Sequence, residues 1–336
     1  MFFYFCSGCI QTDRRFTVIG KEFPSAGDIN EAHLRIKNNI HRTPIFTSQI
    51  IDGIAGSKIF FKCENFQKTG AFKIRGASNS INSMKSEELI NGVTTHSSGN
   101  HAAAVALAAK LKGIKAYIVM PENAPSIKRK AVAGYGAEII FSEATKESRE
   151  EKVENVIAET GAAFIHPYND DRIITGQATC AKEFFEEADD LDFIITPVSG
   201  GGLLSGTALS AKYFAPQTKI IGVEPKAADD AMRSLRDGKI YPAGKPETIA
   251  DGLRMPLAPR TFEILQKYAD EILTVEEETI IEAMKLIWTR MKIIIEPSSA
   301  VTLAAVIENK NKFINKKIGM ILSGGNVDIE SLPWTS

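Results

Sequence analysis

Short apolar runs alternate with helical patterns along this chain, and that alternation constrains its fold more than any other feature. Lys58–Glu64, Val93–Ser97, Ala116–Met120, Glu138–Phe141, Phe164–Pro167, Phe193–Val198, Lys219–Val223 and Ile318–Leu322 read as strands. Asn100–Lys112, Thr145–Glu159, Leu203–Phe214 and Glu276–Met291 read as helices. Apolar residues in the strands are consecutive, as in Phe193-Ile194-Ile195 and Met320-Ile321-Leu322. Such a strand needs cover on both faces, the condition of a parallel sheet between helix layers. Strand–helix–strand order with right-handed crossovers then predicts an α/β fold. Gly238–Met255, with Pro242, Gly244, Pro246 and Gly252, reads as a linker.

Composition narrows the class. A chain of 336 residues is long enough for about two domains at ~150 residues each. Its 40 basic and 41 acidic side chains leave a net charge of -1, which argues against a nucleic-acid partner. No run approaches the ~20 apolar residues of a membrane span. Residues 1–10 lack the basic start of a signal peptide. Four cysteines are too few for a disulfide framework, so a cytoplasmic, reducing compartment is expected. Cys6 and Cys9 have C-x-x-C spacing without a second pair and read as a tail peptide. Cys63 falls in an apolar strand and reads as core.

Ligands of open parallel sheets bind beyond the carboxyl ends of the strands, and the chemistry of this chain concentrates there. Phe193–Val198 runs into Ser199-Gly200-Gly201-Gly202, and a helical pattern starts at Leu203. Consecutive glycines let backbone N–H groups converge at a helix N-terminus, which suits a phosphate; the alternative is a plain strand–helix turn. Ser97-Ser98-Gly99-Asn100-His101 opens a second helix and could hold a carboxylate or simply cap it. Ser323-Gly324-Gly325-Asn326 ends a third strand. Lys73, flanked by Phe72 and Ile74 at an apolar helical start, should have a lowered pKa that suits Schiff-base chemistry. A phosphate cradle and such a lysine together point to pyridoxal 5′-phosphate (PLP).

Gln67-Lys68-Thr69-Gly70-Ala71-Phe72-Lys73-Ile74-Arg75-Gly76, Ser-Ser-Gly-Asn-His, Ser-Gly-Gly-Gly-Leu and Ser-Gly-Gly-Asn stand in this order. Together they resemble the fold type II, tryptophan-synthase-β-like PLP enzymes, and among them the serine racemases and short threonine/serine dehydratases. The likeness spans Pro24 to Trp334. It implies two open, mostly parallel sheets, with a small domain (86–169) inserted in a large one (1–85 and 170–336). Residues 1–23 are left as an extension. It also implies a homodimer acting on an amino acid.

The resemblance implies roles as well. Lys73 carries the cofactor, with Phe72 beside it, and exchanges the Cα proton. Ser98 serves the opposite face. Ser97, Ser98, Gly99, Asn100 and His101 clasp the substrate carboxylate, and Asn100 also reaches the cofactor's phenolic oxygen. Ser199, Gly200, Gly201, Gly202 and Leu203 bind the phosphate. Ser323 meets the pyridine nitrogen, and a hydroxyl there leaves the ring a weaker electron sink than a carboxylate would. The implied reaction is β-elimination from L-serine or L-threonine, with serine racemisation at the same site. The alternatives are a threo-3-hydroxyaspartate ammonia-lyase, with Arg254 meeting the second carboxylate, and mainly a serine racemase with minor dehydratase activity. Glu224, the Ala228 carbonyl and Asp230 match a divalent-cation site of hard oxygens, suited to Mg²⁺, Mn²⁺ or Ca²⁺. Lys68, Thr69, Tyr135, Lys292 and Asn326 match positions that bind ATP in the animal racemases. Ala103 departs from that pattern, where a glutamine is usual, and this weakens the expectation of ATP activation. Arg149 and Glu150 match a pair lining the site.

Overall fold

The computed structural model describes residues 22–124 and 126–334. Cys6, Cys9 and nearly all of the N-terminal extension lie outside them. In chain order the strands are β1 (Ile45–Phe46), β2 (Lys58–Cys63), β3 (Val93–His96), β4 (Ala116–Pro121) and β5 (Glu138–Ser142). Then come β6 (Ala163–Phe164), β7 (Phe193–Pro197), β8 (Lys219–Pro225), β9 (Glu271–Val275) and β10 (Lys317–Leu322). They form a six-stranded sheet in the order β1-β2-β10-β7-β8-β9 and a four-stranded sheet in the order β5-β4-β3-β6. Only β1 against β2 is antiparallel among these pairings. The fold is therefore α/β, with parallel sheets flanked by helices.

The consecutive apolar residues are explained by the two faces of the larger sheet. Ile195, Ile221 and Met320 pack into one cluster with Ala300, Val301 and Ala304 of the helix Pro297–Glu308. Their neighbours Ile194, Ile220 and Ile321 point the other way, against Phe184 and Leu204 of the helices Asp171–Glu187 and Gly202–Phe214. Successive side chains of a strand face opposite sides, so a sheet covered twice needs both positions apolar. The smaller sheet packs against the alanine-rich helix Asn100–Lys112, whose small side chains allow close approach. None of the helices among the described residues is long and apolar enough to cross a membrane.

Register places the reactive loops side by side. Cys63 lies opposite Leu322 and Pro197 opposite Val223, so the chain leaves neighbouring strands at the same edge. Three expectations change in detail. The run Phe164–Pro167 is a strand only as far as Phe164, because His166 turns the chain by accepting the Tyr168 and Asn169 backbone N–H groups. The helix expected over Glu276–Met291 is α-helical over Glu277–Leu286, then widens over Ile287–Met291 and stops at Lys292, whose φ is +60°. The stretch read as a linker starts at Gly238, which ends the helix Asp230–Asp237, and it contains a short 3-10 turn at Asp251–Leu253.

Candidate active site

Two short 3-10 turns, Glu64–Phe66 and Lys68–Gly70, carry the chain from β2 into the helix Lys73–Ser83. The approach to Lys73 is pinned to the loop after β10. Ala71 bridges to Gly324, and the Phe72 N–H donates to the Ser323 carbonyl at 3.0 Å. From below, the helix is held by a buried charge cluster. The Arg75 guanidinium donates to both oxygens of Glu64 at 2.8 Å and to both of Glu183 at 2.9 and 2.8 Å. Lys62 completes the cluster, 3.0 Å from Glu183. Burial alone would raise the Glu183 carboxyl, but Arg75 and Lys62 hold it down at about 2. Two cations against two carboxylates leave the cluster neutral, which is the condition for enclosing such charges.

The Lys73 ammonium donates to the Pro167 carbonyl at 3.2 Å and lies 5.2 Å from the centre of the Phe72 ring. Burial lowers its pKa to about 8, and the Glu296 carboxylate opposes that shift. A lysine so placed is uncharged part of the time near neutrality and can act as nucleophile or base.

The Ser97–His101 loop starts the helix Asn100–Lys112. Ser97 Oγ accepts from the Gly99 N–H at 3.2 Å, and Ser98 stands between them, half-buried. Asn100 is part of a chain of side chains. Its Nδ2 donates to both Glu296 oxygens at 3.0 and 3.1 Å, and its Oδ1 accepts from Asn326 Nδ2 at 2.9 Å. His101 is buried, with one ring nitrogen 3.2 Å from the Ile165 carbonyl. Burial and then Lys73 push its pKa well below the usual value, so the ring is uncharged.

The glycine loop has the shape of an anion cradle. Gly201 has φ of +86°, and a Cβ there would meet Leu257 at 2.8 Å and Thr261 at 2.9 Å. A Cβ at Gly200 would strike the Tyr168 ring at 2.4 Å. Ser199 ties the loop to Met255 in both directions, accepting its N–H at 3.0 Å and donating to its carbonyl at 3.2 Å. The helix Gly202–Phe214 begins without a side-chain cap, leaving first-turn N–H groups for an anion. Leu203 is buried in the apolar cluster behind the loop. Ser323 is buried beside Ser299, with their hydroxyls 3.1 Å apart, and Ser299 also bonds the Gly324 backbone. Pro167 and Tyr168 join lysine and cradle, because the carbonyl of one meets Lys73 and the ring of the next covers Gly200. These residues fit a phosphate-bearing carbonyl cofactor: an enclosed lysine, an uncapped glycine cradle and a buried hydroxyl.

A second cluster lies at the end of β8. Glu224 is buried and accepts from the Met232 N–H at 2.7 Å and the Ala231 N–H at 3.3 Å. Asp230 is buried with one carboxyl oxygen unpartnered among the described residues, and Ala228 is buried between them in sequence. Burial, with Asp230 adding to it, raises the Glu224 carboxyl to about 9, and burial raises Asp230 to about 6. Two buried carboxyls, one with a free oxygen, fit a hard divalent cation. No group of three or more His, Cys, Asp or Glu side chains gathers for a metal among the described residues, so a backbone carbonyl is needed as a further donor.

The remaining expectations scatter. Thr69 and Asn326 meet, since Asn326 Nδ2 donates to the Thr69 carbonyl at 2.7 Å. Tyr135 lines a separate hollow with Ala106, Lys110 and Ile114. Arg149 donates to Thr145 of its own helix, and Arg149 and Glu150 lie close enough to act electrostatically on Tyr168. Arg254 is exposed and donates to the Thr248 carbonyl. A different cation stands at the loop. Lys128 Nζ lies 3.5 Å from where a Gly99 Cβ would be and pairs with Asp251 at 2.5 Å.

Sequence reading missed Glu296, His166, Tyr168 and Lys128. Glu296 carried a signal, an acidic residue closing the apolar run Ile293-Ile294-Ile295 just before Pro297. Burial, then Asp251, raises its carboxyl to about 7.

Known proteins match this geometry. Residues 36–324 match the family described as "Pyridoxal-phosphate dependent enzyme". A serine racemase of Arabidopsis thaliana is 52% identical, covering 92% of this chain and 94% of its own. A β-hydroxyaspartate dehydratase of Paracoccus denitrificans is 48% identical, covering 93% and 99%. The solved structure of maize serine racemase superposes with a TM-score of 0.90 at 48% identity, covering 92% and 95%.

Proposed function

The chain belongs to the pyridoxal-phosphate dependent enzymes, and from that premise we propose an ammonia-lyase for L-serine and L-threonine that also racemises serine. The products would be pyruvate or 2-oxobutyrate, with ammonia. One observation carries the reading: Lys73, depressed to about 8, is linked through Pro167 and Tyr168 to an uncapped glycine cradle.

Bound PLP would acidify the substrate's Cα hydrogen by drawing electron density from that carbon. Lys73 Nζ takes that proton, and its lowered pKa leaves a usable fraction of free amine. The Ser97–His101 loop orients the substrate carboxylate, with Ser98 returning a proton on the opposite face when the enantiomer forms. Ser199 and Gly200 to Leu203 hold the phosphate, Asn100 the phenolic oxygen and Ser323 the ring nitrogen, with Phe72 alongside. The Asn100–Glu296–Asn326 bonds keep that amide in one orientation. Glu224, Asp230 and the Ala228 carbonyl would hold Mg²⁺ or a similar cation, which would favour the ionised form of the two buried carboxyls.

The same reading divides the chain into a large domain (1–85 and 170–336) and a small one (86–169), and the two separate sheets support it. It also extends to a homodimer in the cytoplasm; Cys63 and Cys180, free and buried, are in keeping with a reducing compartment. ATP is matched at Lys68, Thr69, Tyr135, Lys292 and Asn326 but not at Ala103, and an unchanged rate on adding it would remove it as a regulator.

A second reading, 3-hydroxyaspartate ammonia-lyase, is favoured by the Lys128 ammonium beside Gly99, a cation within reach of a second carboxylate. A panel of L-serine, D-serine, L-threonine and L-threo-3-hydroxyaspartate tests both, measuring 2-oxo acid release and product chirality. The first reading expects 2-oxo acid from L-serine and L-threonine, and D-serine from L-serine. Turnover of 3-hydroxyaspartate alone would replace it with the second. Unimpaired racemisation by Ser98→Ala would remove Ser98 from its role.

A further inference from the structure

We propose that His166 is a positioning residue, whose imidazole holds the Pro167 carbonyl against Lys73 and the Tyr168 ring against the glycine loop. The proposal rests on the reading of Lys73 as the cofactor lysine. Nδ1 of His166 accepts two backbone N–H groups, from Tyr168 at 3.1 Å and Asn169 at 2.8 Å. An acceptor of two bonds carries no proton, so the ring hydrogen sits on Nε2. Burial holds the ring neutral by lowering its pKa to about 3, and the acceptor is present at every working pH.

The imidazole is itself clamped. It meets the Phe164 ring edge to face at 5.8 Å and the Tyr168 ring at 4.9 Å. The chain beyond is tied at its far end, since Asn169 Oδ1 accepts from the Arg260 N–H at 3.1 Å and Asp170 caps the helix Asp171–Glu187. Residues 166–170 therefore form a strap with both ends fixed. Its middle presents one carbonyl to Lys73 at 3.2 Å, the Tyr168 ring to Gly200, and the Tyr168 Cβ and backbone to Gly202. Removing the Nδ1 acceptor leaves two N–H groups in a largely buried segment without a partner. Each unsatisfied donor penalises the bent conformation, and the strap relaxes toward the extended strand that its sequence favours. The Pro167 carbonyl then leaves Lys73. Besides this carbonyl, Glu296 acts on the Lys73 charge and the Phe72 ring lies 5.2 Å from it, while the ammonium helps hold the His101 and His166 rings uncharged.

Asparagine and glutamine separate the role from mere polarity. Asn places its amide oxygen where His has Nδ1, whereas Gln carries it one bond further. The full chain, stripped of PLP and reloaded, is followed by absorbance as it captures PLP between pH 6 and 10. His166→Asn should keep the wild-type rate plateau and inflection. His166→Gln should capture PLP about tenfold more slowly, on the scale of one net hydrogen bond, with its inflection moved to lower pH because the ammonium has lost an acceptor. Wild-type behaviour in His166→Gln, or equal loss in both variants, overturns the proposal. Failure of the wild type to capture PLP overturns the reading of Lys73 as well, so the two failures are distinguishable.

Discussion

The Lys73 amine must be uncharged to accept a proton, and burial sets its pKa near 8. A base acts only above its pKa, so kcat for elimination should rise through about pH 8 and flatten above it. A pH–rate profile flat from 6 to 9 would contradict this. Below pH 7 a second influence enters, because Glu296 is then protonated and its help to the ammonium is lost. Lys73 itself was legible in the sequence, because an apolar-flanked lysine shares the chain with two glycine-rich strand ends. His166 was not, and Glu296 showed only as an acidic residue closing an apolar run, because the fold gives them their partners: Glu296 meets Asn100 far along the chain, and the turn at His166 lays Tyr168 over the glycine loop. The linkage of Glu224 is a separate matter of sign. Its carboxyl is raised from 4.5 to about 9 in the fold, so without metal it contributes no penalty below pH 4.5. Stability should then fall as pH rises toward 9. Added Mg²⁺ should raise Tm at pH 8 and barely change it at pH 5. An equal Mg²⁺ effect at both values, or none, would remove the cation from this cluster.

At the scale of elements, the helix Lys73–Ser83 depends on Arg75, which sits fully buried between Glu64 and Glu183. Arg75→Met leaves two buried carboxylates facing Lys62 alone. Breaking such a cluster costs about 3–5 kcal/mol. Calorimetry should show Tm lower by several degrees, with weaker PLP retention; a loss under ~1 kcal/mol would mean the cluster is relaxed by water. The eight strands expected from apolar runs are all present, most shifted by a residue at an end. β1 and β9 escaped notice because they lie at the edges of the larger sheet, where burial is incomplete and the apolar signal is weak. The helix Asp171–Glu187 escaped for the opposite reason. Buried Thr175, Gln177, Thr179 and Glu183 interrupt its apolar face; Gln177, Thr179 and Glu183 meet Gly76, Arg75 and Lys62 of other elements, whereas Thr175 bonds back to Asp171 of the same helix.

For the whole molecule, length alone suggested two successive domains. The sheets tell a different order, with the strands of the four-stranded sheet falling between β2 and β7 of the six-stranded one. Lys73 and the glycine loop, far apart in sequence, are thereby brought to the same edge. The net charge of -1 is consistent with an enzyme whose cradle offers backbone N–H groups rather than a basic surface. PLP-dependent elimination at this edge would run through Lys73. The most direct test supplies PLP to the purified chain and its Lys73→Ala variant, then follows 2-oxo acid release from L-serine. Steady release is expected from the wild type and a loss of roughly a thousandfold or more in the variant, the scale for removal of a nucleophile and base. Comparable release by the two proteins, or none from the PLP-loaded wild type on any β-hydroxy amino acid, would contradict it.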